Sequence, residues 1–182
     1  MLSRLLFASQ AGWKHRRALQ ALPAAKNIFA VDWSALLDSG VQVLALDFDG
    51  VLAADGQVEI AADVCTLLHA LSAIFGNQIY ILSNQPKQQR QEFFATHFPH
   101  FSFIVAKKKP YPDGLWAIQA HAHCQAHEIV LIDDRVLTGG LATILAGTQC
   151  VLIAEPYTNF TKNFWRETAF LWLRCLERCL FR

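Results

Sequence analysis

Five short apolar runs constrain this chain more than any other feature: VLALD (43–47), IYILS (79–83), FSFIV (101–105), IVLID (129–133) and CVLI (150–153). In none of them do apolar and polar residues alternate, so each reads as a strand buried on both faces. Between them lie stretches with helical spacing. Val58 to Phe75 carries Val64, Leu67, Leu68, Leu71, Ile74 and Phe75 on one side. Pro86 to His97 opens on a proline suited to a first helical turn, Pro112 to Ala126 follows, and Thr138 to Ala146 ends near Gly147, a C-cap residue. Strands alternating with helices predict an α/β chain: a Rossmann-like parallel sheet of about five strands with helices on both faces. In such sheets ligands bind beyond the carboxyl ends of the strands. Asp47 and Asp49, Ser83 and Asn84, and Asp133 and Asp134 all fall there.

The 182 residues suffice for one domain with a proper core, and 53% of them are hydrophobic. A net charge of +1 gives no reason to expect a nucleic-acid partner. Its distribution is more informative. No acid precedes Asp32, whereas Arg4, Lys14, Arg16, Arg17 and Lys26 do. Two readings of this start stay open: a mitochondrial targeting presequence, or a basic arm lying on anionic lipid. The run LLFA is too short for a secretory signal, and no run of about 20 uncharged apolar residues predicts a spanning helix. Cys65, Cys124, Cys150, Cys175 and Cys179 are odd in number and scattered, which favours a reducing compartment and a packing role.

Four pieces converge on one rim: DFDGV (47–51), LSN (82–84), KKKP (107–110) and IDDR (132–135). A carboxylate at the end of an apolar strand costs several kcal/mol if desolvated and unpaired, and two neighbours repel. A cation resolves both problems. Acids, a hydroxyl, an amide and a lysine suit Mg²⁺ and a phosphoryl group, because hard oxygen ligands hold the ion and lysine neutralises phosphate. Asp47 and Asp49, two apart, point to one face. His123 and His127 are one turn apart but have no third ligand of suitable spacing, and with His121 they read as a surface helix face. TGGLATILAG reads as a loop entering a helix.

This ordered set resembles the haloacid dehalogenase superfamily of phosphohydrolases. The resemblance implies Asp47 as the nucleophile that becomes an aspartyl-phosphate, and Asp49 as the group that protonates the leaving oxygen and then activates water. It implies Ser83 bonding a phosphoryl oxygen, Asn84 shaping the same loop, and Lys109 holding the phosphate. Asp134 would complete a magnesium shell with Asp47 and the backbone carbonyl of Asp49. Many relatives carry a second Asp where this chain has Gly139, and Asp133 is the candidate to compensate; Val51 stands where many have Thr. Only about 35 residues separate Asp49 from Ser83 and about 25 separate Ser83 from Lys109, too few for a cap domain. An uncapped site accepts a phosphate displayed on something large.

The last segment, NFTKNFWRETAFLWLRCLERCLFR (159–182), predicts an amphipathic helix. Trp165, Ala169, Trp172, Leu176, Cys179 and Leu180 share one side; Arg166, Glu167, Arg174, Glu177 and Arg178 share the other. Such a helix suits a membrane interface, or packing on its own domain or a partner. From Lys26 onward the chain resembles capless phosphatases of the phosphatidylglycerophosphatase type, subfamily IIIA. The expected organisation is a basic arm (1–25), a phosphatase core (26–157) and the C-terminal helix (158–182). The resemblance implies Mg²⁺-dependent release of the terminal phosphate of phosphatidylglycerophosphate. The expected partners are a phosphorylated lipid headgroup and an anionic membrane surface touched by the arm and the helix. The place expected is the cytoplasmic face of a membrane, or the mitochondrion in a eukaryote. The alternatives are a phosphatase for soluble phosphomonoesters and a weakly catalytic docking protein.

Overall fold

Strands β2 (Val43–Leu46) and β5 (Ile129–Asp133) lie side by side at the centre of the sheet, and every residue of both is buried. The structure is a computed structural model that describes residues 2–84, 87–104 and 109–181. Pro86, Val105, Lys107 and Lys108, and the side chains of Arg4 and Arg166, lie outside the described residues.

In chain order the elements are α1 (Leu2–Lys14), α2 (Arg16–Gln20), β1 (Ala24–Ala25), α3 (Trp33–Asp38), β2, α4 (Ala62–Phe75), β3 (Ile79–Leu82), α5 (Gln88–His97), β4 (Ser102–Ile104), α6 (Asp113–Ala122), β5, α7 (Leu141–Ala146), β6 (Gln149–Ile153) and α8 (Phe160–Phe181). A π-helical turn, Val136–Gly140, leads into α7. The six strands are all parallel, in the order β1-β6-β5-β2-β3-β4. From β2 the chain moves outward through β3 to β4, then crosses back to β5 and moves the other way to β6. Strand order therefore reverses between β2 and β5, the place where parallel sheets open a ligand crevice.

Successive side chains of a strand leave opposite faces, so each central strand feeds two cores. Leu44, Leu46, Val130 and Ile132 meet Val64, Leu68, Leu71 and Phe75 of α4 and Phe94 of α5. Val43, Ala45, Ile129 and Leu131 meet Leu115 and Ile118 of α6 and Ala142 and Ala146 of α7. Each buried Val, Leu, Ile or Phe among them contributes about 1.5–3 kcal/mol. A third cluster, Leu19, Val136, Leu141, Leu152 and Phe181, joins α2 and α8 to the β6 edge.

The α/β architecture, the parallel sheet and the C-terminal helix agree with the sequence reading, and the differences have local causes. Two-residue β1 adds a sixth strand, paired with β6 at Ala24–Leu152 and Ala25–Ile153, too short to show a pattern. α4 begins at Ala62 rather than Val58. The preceding loop is tied elsewhere: Lys87 Nζ donates to Gly56 O (2.8 Å) and Arg90 Nε to Gln57 O (2.8 Å). α6 stops at Ala122 because His123 takes a left-handed C-cap conformation, φ 52°. Residues 1–25, read as an arm, include two helices and an edge strand; Phe7 stacks on Tyr111 and Trp13 meets Phe181 edge-on. Cys150 alone of the cysteines is buried, while Cys175 and Cys179 are exposed on α8 and do not pack.

α8 faces the core with its charged side. Glu167, Arg174 and Glu177 are buried, whereas Trp165 and Trp172 are 84% and 71% exposed. Glu167 accepts the Asn159 N–H at 3.0 Å, and the other two buried charges meet opposite charges. Arg174 pairs with Asp134, and Glu177 pairs with Arg135 while accepting from the Leu137 N–H. Arg178 donates to the carbonyls of Ile153 and Ala154. Glu177→Ala is therefore expected to destabilise the protein by about 1–3 kcal/mol, because it strips Arg135 and the Leu137 N–H of their acceptor. Urea unfolding measures this, and a change below about 0.5 kcal/mol would mean that α8 is not anchored there.

Candidate active site

β2 delivers Asp47 at its carboxyl end, and β5 delivers Asp133 and Asp134 at the end of its own. Because the two strands are neighbours in register, with Leu46 opposite Ile132, three carboxylates meet at the reversal point. One oxygen from each lies within 4.8 Å of the others, and all three residues are buried. Among the described residues this is the one acidic, histidine or cysteine cluster with such geometry.

Lys109 enters between two of them. Its Nζ lies 2.9 Å from Asp47 Oδ1 and 2.5 Å from Asp133 Oδ2. Burial alone would lower its pKa, but Asp133 and Asp47 outweigh burial and hold it above the ordinary lysine value. Asn84 Oδ1 accepts the Lys109 backbone N–H at 2.8 Å, so the loop after β3 positions the lysine. Burial raises the Asp47 pKa well above the ordinary carboxylate value; Lys109 opposes this and the neighbouring acids add to it. Asp134 is pushed up to about 6, also by burial first, with Arg174 pulling the other way. Arg174 Nε donates to Asp134 Oδ2 at 2.5 Å.

Three carboxylates against Lys109 and Arg174 leave one net negative charge. A divalent cation would reverse that sign, and the donor set is oxygen throughout, which fits Mg²⁺. Asp133 is already engaged, by Lys109 and by the Arg135 N–H at 2.9 Å. Asp47 and Asp134 are thus the carboxylates better placed to hold an ion.

Two glycines make the approach possible. Gly50 has φ 86°, and a Cβ there would fall 2.5 Å from Asp134 Oδ2 and 3.0 Å from Arg174 Nη2. A Cβ on Gly139 would fall 2.1 Å from Asp133 Cγ. Gly139, where the resemblance implied a second Asp, is here the floor under Asp133, which leaves no room for a side chain.

The remaining residues of the sequence reading divide. Asp47, Asp49, Asn84 and Asp134 line one pocket of about 70 Å³ with Arg135, Thr138, Phe170 and Arg174. The Asp49 carboxylate, however, lies outside the acidic trio. Arg90 grips it at both oxygens (2.6 and 3.0 Å), and the Gly56 N–H donates to it at 3.0 Å. Ser83 is buried beside Arg90, its Oγ 3.5 Å from Nη1.

Sequence reasoning missed Arg90 and the part that Arg174 and Arg135 take in the site. Arg90 is fully buried and stacks 3.8 Å from the Phe48 ring centre, yet nothing in QQRQEFF distinguishes it from its neighbours. A signal for the other two was available. Asp134-Arg135 offers a negative then a positive charge, and Arg174 with Glu177, one helical turn apart, offers the complement in the same order.

Residues 16–158 match the family described as mitochondrial PGP phosphatase. Over 140 residues the chain is 29% identical to the chloroplastic phosphatidylglycerophosphate phosphatase 1 of Chlamydomonas reinhardtii, covering 73% of this chain and 51% of that one. The chain thus spans about half the length of this curated relative. Similar solved structures include a predicted phosphoglycolate phosphatase from Haemophilus somnus, with TM-score 0.54, 13% identity, and 66% of this chain and 88% of that one covered. NagD from E. coli K-12 gives 0.52, 14%, 68% and 91%. At these identities the likeness is one of fold.

Removing the cation from the Arg90–Asp49 pair leaves a mostly buried carboxylate without its main partner. Arg90→Met is expected to cost about 2–4 kcal/mol in urea unfolding, with Arg90→Lys recovering part of the loss. Equal stability of Arg90→Met and the parent would show that the pair does not support the loop.

Proposed function

The chain belongs to the mitochondrial PGP phosphatase family, and on that basis we propose that it hydrolyses the terminal phosphate of phosphatidylglycerophosphate to leave phosphatidylglycerol. The observation that carries the chemistry is the buried Asp47–Asp133–Asp134 trio with Lys109 set between two of its members.

Asp47 acts as the nucleophile. Burial favours its neutral form, and Lys109 at 2.9 Å favours the ionised form that can attack phosphorus. Asp47, Asp134 and the backbone carbonyl of Asp49 would hold Mg²⁺, which when bound would supply charge stabilisation for the transferring phosphoryl group. Lys109, kept charged by Asp133, neutralises a phosphoryl oxygen. Asn84 holds the backbone of that lysine, and Ser83 sits on the same turn. Asp49 protonates the leaving glycerol oxygen and then takes a proton from the water that hydrolyses the aspartyl-phosphate. Arg90 holds both Asp49 oxygens, so protonating the leaving oxygen requires Asp49 to turn out of the Arg90 fork.

The outer surface supports a membrane-bound substrate. The exposed side of α8 presents Trp165, Trp172, Leu176 and Leu180, and α1 adds Leu5, Leu6 and Trp13. Lys14, Arg16 and Arg17, exposed nearby, supply attraction to anionic lipid. No helix among the described residues is long and apolar enough to cross a membrane. Contact through the interfacial plane of α8 is the mode consistent with these facts.

Two experiments test this reading. Phosphate release from phosphatidylglycerophosphate in mixed micelles should require Mg²⁺ and fall by at least roughly a thousandfold in Asp47→Asn. Release only from soluble phosphomonoesters would retain the chemistry and reject the lipid, and no release from either would favour a docking protein. In sedimentation with anionic vesicles, Trp165→Ser/Trp172→Ser should weaken binding by roughly tenfold or more. Unchanged binding would place the membrane contact elsewhere.

A further inference from the structure

A cavity of about 600 Å³ lies between α1 and α8, walled by Ala8, Trp13, Leu137, Leu173, Leu180 and Phe181. That size lies within the roughly 300–1,000 Å³ of sites that enclose small molecules. Its position decides what it can hold. Arg135, Thr138 and Phe170 line this cavity and also the pocket of Asp47, Asp49 and Asp134, and Lys109 and Glu177 line the cavity too, so its polar end adjoins the catalytic pocket and its apolar walls lie beyond.

The neck between the two carries unused donors. Arg174 Nη1 and Arg135 Nε are buried without a hydrogen-bond partner among the described residues. Arg174 is more than nine-tenths buried and lines the catalytic pocket. Buried guanidinium N–H groups without acceptors call for an anion. From the catalytic pocket outward the order is therefore phosphoryl chemistry, an anion-binding neck, and an apolar chamber. A phospholipid carrying a terminal phosphomonoester has the same order: monoester, glycerol, diester phosphate, hydrocarbon.

We propose that the α1/α8 cavity holds an acyl chain of the lipid substrate, with Arg174 and Arg135 binding its diester phosphate at the neck. This rests on the phosphatase reading above and specifies how its substrate is held. α1 and α8 then have two functions that share residues: Leu5, Trp13, Leu176 and Leu180 are partly exposed on the membrane-facing side and also line the chain-binding cavity. The lipid is drawn partly out of the bilayer to reach Asp47.

The test uses the full chain and a series of phosphatidylglycerophosphates with two to eight carbons per acyl chain, each below its micelle-forming concentration, with the deacylated diester for comparison. kcat/KM is expected to rise by about fourfold per added methylene until the cavity is filled. Ala8→Trp and Leu173→Trp, which fill the chamber, should each reduce the long-to-short ratio of kcat/KM at least tenfold. Arg174→Gln should raise KM for the deacylated diester by a larger factor than for p-nitrophenyl phosphate. A flat chain-length dependence in the unsubstituted protein, with hydrolysis intact, overturns the proposal while leaving the phosphatase reading in place. Hydrolysis of no member of the series, deacylated compound included, removes the reading and the proposal together.

Discussion

Lys109 is the cation on which the centre of this molecule depends. Three carboxylates converge where β2 and β5 end, in surroundings from which water is largely excluded, and they would repel one another strongly without it. Lys109 spans Asp47 and Asp133, and its own place is set by Asn84 through the backbone. The third carboxylate is balanced by a different element altogether, Arg174 of α8. Charge compensation at the reversal point therefore recruits the loop after β3, the segment before α6, and the C-terminal helix. Tertiary structure around the site is in this sense an arrangement of counter-charges about one strand junction.

α8 departs from the usual orientation of a surface helix, in which the apolar stripe is buried and the charges are solvated. Desolvating Arg174 and Glu177 is tolerable because each meets an opposite charge. Turned this way, the helix presents tryptophan and leucine outward, a surface better suited to a lipid interface than to bulk water. The same geometry connects the membrane-facing element directly to Asp134. The face that carries the protein's apolar surface and the face that neutralises its acidic cluster belong to one helix.

Much of this was legible in the sequence because strand-end acids carry both positional and chemical information. The apolar runs locate β2 to β6 to within a residue or so, and their terminal residues Asp47, Asp133 and Asp134 do converge in space. Asn84 and Lys109, read as parts of one rim, meet through the Lys109 backbone N–H. What escaped was decided by long-range packing. β1 is only two residues, with no periodicity to detect. Arg90 lies in a helix with almost no apolar pattern, and its burial follows from a partner 41 residues away. Gly139 looked like a missing acid because sequence comparison sees side chains and not the room they need. Which side of α8 faces inward was undetermined in a helical wheel, since an amphipathic pattern specifies two faces and leaves open which one meets the core.

The docking of α8 has a consequence for how its sequence can vary. Asp134 and Arg135 are adjacent on an extended segment, and their partners Arg174 and Glu177 stand one turn apart on the helix, so the two ion pairs fix both the rotation and the axial position of α8. One residue inserted into the helix ahead of Arg174 would turn everything beyond it by about 100° and advance it by about 1.5 Å. The arginine could not then be restored to Asp134 without carrying a tryptophan-bearing face toward the acidic cluster. A residue added to the connecting loop (154–159) would leave the two pairs in phase, whereas the helix cannot change by a single residue: it is engaged like a key with two teeth, and its phase, more than its composition, is what the active site requires of it.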